Sequence, residues 1–109
     1  MKKLVALGLL AASLCGSGIV YAKWVSVAKV TRVRVYNAAP NYSMDIWFDR
    51  DVAEGCNTNT RVTLATTDAA VLEAVRQIAV TARLSGRDVE VNTVGCQGVN
   101  GKLDYLSLK

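Results

Sequence analysis

Asp45, Asp49 and Asp51 lie close together in the chain, on either side of the indole of Trp47. Clustered acids of this kind can serve as a general acid and base in glycoside hydrolysis, hold calcium, or decorate a solvated surface. Glycoside chemistry needs a cleft that holds a sugar between the acids, which a domain this small hardly provides. The calcium-loop reading fails for want of the glycine and terminal glutamate of that motif. A solvated loop is therefore expected for Asp49 and Asp51. The sequence has no histidine, so Ser-His-Asp and Cys-His arrangements and histidine metal sites are excluded. Gly95, Gly98 and Gly101 lead into a turn and a strand instead of a helix, unlike a phosphate-binding fingerprint. The expectation is a protein that is not an enzyme and carries no cofactor or metal.

Binding chemistry is a different matter. Met44, Ile46 and Phe48 alternate with Ser43, Asp45, Trp47 and Asp49, the pattern of a half-buried strand. It puts an indole on the polar side, where aromatic side chains serve ligands and interfaces. Trp47, Asp45 and Tyr42 are the candidate ligand or interface residues. The cations Lys29, Arg32 and Arg34 of the preceding segment read as a solvated strand face in preference to a binding patch.

The cysteines say where this chemistry takes place. Met1-Lys2-Lys3, the apolar run Leu4 to Val20 and Val20-Tyr21-Ala22 have the layout of a secretory signal peptide cleaved after Ala22. Interruptions at Gly8, Ser13, Cys15, Gly16, Ser17 and Gly18 suit a membrane anchor poorly, since a spanning helix needs roughly 20 predominantly apolar residues. Lipidation at Cys15 is disfavoured by the bulky Leu14 before it. Residues 1–22 are thus expected to be the signal peptide and 23–109 a single domain, secreted or periplasmic, with no membrane span after cleavage. Cys56 and Cys96 then read as one disulfide in an oxidising compartment. It would close a loop of about 40 residues, worth roughly 4 kcal/mol in the chain-entropy model.

Without Lys2 and Lys3 the 13 basic residues fall to 11 against 9 acidic ones, a net charge of +2. The remaining cations are dispersed and aromatics are sparse, so no nucleic-acid partner is expected.

Stepwise along the chain, Trp24 to Tyr36 is dense in β-branched residues and reads as a long strand. Its alternation breaks near Ala28 to Thr31, which predicts a bulge or bend there. Asn37 to Asn41, with Pro40, is a turn, and the Trp47 strand follows. Asp49 to Asn59 is a polar loop, and Arg61 to Ala65 a short strand. Thr66-Thr67-Asp68 supplies an N-cap, and Val71, Leu72, Val75, Ile78, Ala79 and Ala82 form the apolar stripe of a helix ended by Ser85-Gly86. Asp88 to Val94 is a strand with Val89 and Val91 inward, and Glu90 and Asn92 outward. Asn100-Gly101 is expected to be a two-residue hairpin turn. In the last strand Leu106 and Leu108 share one face, and Leu103 and Tyr105 the other, so one face is expected to meet the core and the other a neighbouring subunit. Five strands with a helix between the third and fourth are the order of an OB-like barrel, mainly β, whose helix plugs one end.

The run Val71-Leu72-Glu73-Ala74-Val75-Arg76, continued by Ala82-Arg83-Leu84-Ser85-Gly86-Arg87-Asp88-Val89-Glu90-Val91, resembles the helix, glycine stop and strand of the B subunits of subtilase-cytotoxin and typhoid-toxin type. The resemblance spans Val33 to Val91. It implies a secreted OB-fold, assembly into a pentamer and binding of cell-surface glycans, often sialylated; no sugar-contacting residue is carried over from it. The leading expectation is an exported binding or assembly module of this kind. The alternative is a monomeric periplasmic structural or inhibitor-like protein that binds another protein.

Overall fold

A computed structural model describes residues Lys23–Lys109. The expected signal peptide, residues 1–22, and with it Cys15, lies outside the described residues. The elements are β1 (Lys23–Ala38), β2 (Asn41–Phe48), β3 (Thr58–Thr66), α1 (Ala69–Ser85), β4 (Asp88–Gln97) and β5 (Asn100–Leu108). The strands close into a barrel in the order β1-β2-β3-β5-β4. All neighbours are antiparallel except β3 and β5, which run parallel through Val62↔Gly101 and Thr63↔Lys102. This is the OB-like, mainly β architecture read from the strand order.

The barrel holds because each strand turns one side inward. Met44, Ile46 and Phe48 of β2, Val62 of β3, Val89 and Val91 of β4 and Leu106 of β5 form the core. Each large apolar side chain removed from water in this way contributes about 1.5–3 kcal/mol. Helix α1 starts where Asp68 accepts from the Ala70 and Val71 amides, and ends at Gly86, whose φ of 69° is the left-handed conformation a glycine adopts without strain. Leu72, Ala79 and Ala82 drive into the core while Val75 and Ile78 pack against it. Val71, expected on the same stripe, is 41% exposed. Lys29 fastens the helix end to the barrel: its Nζ donates to the Gly86 carbonyl at 2.9 Å and to Asp88 Oδ1 at 2.7 Å.

The bulge expected in β1 is real and decides which side chains reach the surface. Pairing with β2 slips between Val30 and Arg32, leaving Thr31 as the extra residue. Ala28 and Val30 are buried before it, and Val33 and Val35 pack on the core after it. Because side chains alternate with a period of two, one added residue exchanges the inward and outward sets. Arg32 and Arg34, which share parity with Ala28 and Val30, are thereby turned out to solvent.

Three sequence readings change. The polar loop between β2 and β3 carries Val52 and Ala53 at 0% and 1% exposure, with their amides donating to the Asn59 carbonyl and Thr93 Oγ1 donating to the Val52 carbonyl at 2.9 Å. Two apolar residues in a polar stretch have no periodicity, so nothing in the pattern marked them as core. The turn between β4 and β5 is Gly98-Val99, and Asn100-Gly101 belongs to the strand, since Gln97 pairs with Asn100. Positive φ at Gly98 alone suits a turn with glycine first. Finally, Leu103 and Leu106 are both buried. The register slips between Asn92↔Tyr105 and Thr93↔Leu103, so Asp104 is an extra residue and the parity of β5 inverts there. Leu103 thus faces the core, and Tyr105 remains exposed.

Cys56 and Cys96 are joined in a disulfide. It ties the β2–β3 loop to the far end of β4, away from α1.

Candidate functional site

Register brings together what sequence alone left apart. Arg32 of β1 lies opposite Trp47 of β2, and Trp47 opposite Arg61 of β3. One row along, Arg34 lies opposite Asp45, and Asp45 opposite Thr63. These residues share the outer face of three adjacent strands, where neighbouring side chains across a ladder sit within contact range.

Three guanidinium groups converge on the indole. The Arg32, Arg61 and Arg34 Cζ atoms lie 4.7, 5.0 and 5.4 Å from the centre of the Trp47 ring. Each is within reach of the negative potential of an aromatic face, an attraction of about 0.5–1 kcal/mol at exposed sites. Arg34 is steadied further by Tyr36, to whose Oη its Nη1 donates at 2.6 Å. Arg61 is fixed by Asn100, whose Oδ1 accepts from Nε at 2.8 Å. Asn100 is itself buried at 7% exposure, and its Nδ2 donates to Thr63 Oγ1 at 2.9 Å. Thr63 in turn donates from Oγ1 to Asp45 Oδ1 at 2.7 Å. A hydrogen-bonded chain thus runs from Asp45 through Thr63 and Asn100 to Arg61.

The carboxylates of the region are placed otherwise. Asp45 is engaged by Thr63 and makes no ion pair with any arginine of the cluster. Among the described residues no carboxylate stands within ion-pair distance of Arg32, Arg34 or Arg61. Asp49 accepts from the Lys29 amide and from Arg50. The Arg50 hydrogen bond, followed by that of the Lys29 amide, holds its carboxyl below the usual aspartate range. Asp49 therefore buttresses the β1 bulge, and Asp51 is exposed in the loop. Among the described residues no group of histidines, cysteines and carboxylates is arranged to hold a metal ion.

No family model matches this chain, and no curated protein matches it. The site must stand on its own geometry.

Of the residues singled out from sequence, the structure brings Trp47 and Asp45 together on the outer face and puts Tyr42 elsewhere. Tyr42 has the inward parity of Met44 and packs against the core at the end of β2, lining a shallow open hollow with Asn41, Ala65, Thr66 and Thr67. Arg32 and Arg34, expected as a plain solvated face, are two of the cluster's three cations, whereas Lys29 is committed to the helix end. Arg61 and Asn100 carried no signal as site residues. Finding them requires the β2–β3 register and the parallel β3–β5 pairing, neither of which is written in a local pattern.

Proposed function

We propose that the chain is an exported, non-enzymatic binding module whose ligand-binding surface is the outer face of β1, β2 and β3, and that its ligand is a cell-surface glycan. The carrying observation is the group of guanidinium ions from Arg32, Arg34 and Arg61 gathered on Trp47 with no ion pair to a carboxylate among the described residues. Like charges held this close repel one another, and an internal structural role would be served by pairing each with an acid. An unneutralised arginine cluster on a rigid sheet is instead prepared for an external anion, because the planar fork matches oxyanions in a bidentate manner. The paired signal-like N-terminus and disulfide support a site of action outside the cytosol. The resemblance to toxin B subunits supports glycans as the ligand class.

Self-association belongs to the same proposal and uses a different face. Val25 lies opposite Asn92, and Asn92 opposite Tyr105. Val25 and Tyr105 are 50% and 42% exposed, with Val27 at 38% beside them. Between them Asn92 Oδ1 is buried with no hydrogen-bond partner. Exposed apolar side chains surrounding an unsatisfied acceptor are the features that a second copy would cover.

A glycan array probed with the purified protein tests the first part. Binding that is lost on replacing Arg32 and Arg61 with alanine supports it, and an array without a binder removes the glycan reading. Light scattering after size exclusion tests the second: a strict monomer across micromolar concentrations would sink the pentamer.

A further inference from the structure

We infer that the β1–β3 face selects saccharides carrying tetrahedral oxyanion esters, sulfate or phosphate, that together bring about two negative charges, over those carrying a single carboxylate. This rests on the glycan reading above and names the chemistry that reading leaves open.

Charge supplies the first reason. The cluster holds three guanidinium groups and one carboxylate, that of Asp45. It therefore presents a net +2, and a ligand with one negative charge leaves the site positive. Two sulfate esters of a saccharide chain, or one phosphate monoester with its charge of about −1.5 to −2, balance it. Tetrahedral oxyanions also offer three acceptor oxygens each, enough to engage neighbouring forks at once.

The indole supplies the second. Sugar rings are commonly recognised by stacking on an open aromatic face, but Trp47 is approached by guanidinium groups from both neighbouring strands. Its face is used to gather cations, and it acts as a positioning residue. Recognition then falls to the outward N–H groups of Arg32, Arg34 and Arg61, which read charged substituents instead of the ring. The buried Asn100 fixes the Arg61 fork before ligand arrives, lowering the ordering cost of binding.

The experiment is isothermal titration of the purified protein with four probes: a heparin hexasaccharide, the same oligosaccharide chemically desulfated, sialyllactose and a phosphorylated oligomannose. Binding of heparin at least about tenfold tighter than of its desulfated form and of sialyllactose is expected. Arg32→Ala and Arg61→Ala should each lower heparin affinity by about tenfold, with circular dichroism unchanged and Arg61→Lys intermediate, because lysine keeps the charge but not the fork. Tight binding of the phosphorylated probe, equally sensitive to Arg61→Ala, supports the same chemistry and names phosphate as its source. Sialyllactose binding as tightly as heparin overturns the inference and leaves the glycan reading standing. Heparin binding indifferent to both alanine variants overturns it too, since the site then lies elsewhere. Absence of binding to all four probes together with a binder-free array removes the parent reading as well.

Discussion

Arg61 Nε donates to Asn100 Oδ1 at 2.8 Å across the parallel β3–β5 junction. An exposed face thereby takes its orientation from a buried amide, and the barrel closure that defines the fold also fixes the cation furthest from β1.

Replacing Asn100 with alanine leaves Arg61 without this acceptor and removes the donor to Thr63 Oγ1. A cost of about 1–3 kcal/mol in stability is expected, as for other buried polar groups left unpaired. Ligand affinity should fall as well, because Arg61 becomes free to wander. Urea unfolding and titration on the same variant separate the two effects; unchanged affinity would show that Arg61 needs no such anchor.

Gly101 is required for its size. A Cβ built on it lies 2.5 Å from the Ala53 Cβ and 3.5 Å from Val62 Cγ1. Gly101→Ala should therefore destabilise the fold by about 1–3 kcal/mol through overpacking. The double variant with Ala53→Gly should recover much of that loss. Failure to recover would mean that the contact is not the cause.

The Cys56–Cys96 bond closes a loop across a sequence separation of 40. Replacing both cysteines with serine should cost up to about 4 kcal/mol by the chain-entropy model. Denaturant unfolding with and without reductant measures it, and an unchanged midpoint would show that the bond contributes little.

Asp49 gives the acid side of the stability curve a recognisable contribution. Its carboxyl is held below its ordinary value, chiefly by Arg50 and then by the Lys29 amide. Folding therefore favours the ionised form. That stabilisation is complete above the ordinary aspartate value of about 3.9 and disappears as pH falls through the lower folded-state value. Both partners are exposed, so the effect is small. In Asp49→Asn the melting temperature should decline less steeply than in the wild type between about pH 4 and pH 2; identical slopes would place the acid sensitivity elsewhere.

The barrel was legible because its evidence is periodic. Met44, Ile46 and Phe48 announce a strand by alternation, and Leu72, Ala79 and Ala82 a helix by their spacing, with Asp68 and Gly86 marking its ends. Even the β1 bulge shows as a break in alternation. What escaped were consequences of pairing. Asp104 and Thr31 each shift a register by one residue, and such a shift sends Leu103 inward and Arg32 outward. Val52 and Ala53 escaped because a loop folded against the core has no repeat to betray it. The site was half legible for the same reason: Trp47 and Asp45 share a strand face, whereas Arg61 and Asn100 join them only once β3 has found its two partners.

The ligand-binding proposal turns on the outer face of β1, β2 and β3, and backbone and indole NMR shifts during titration with a bound glycan observe that face directly. The account predicts that the largest changes fall on the Trp47 indole N–H and on the amides around Arg32, Arg34 and Arg61. Changes centred on α1 or on the β4–β5 face, with Trp47 silent, would contradict it.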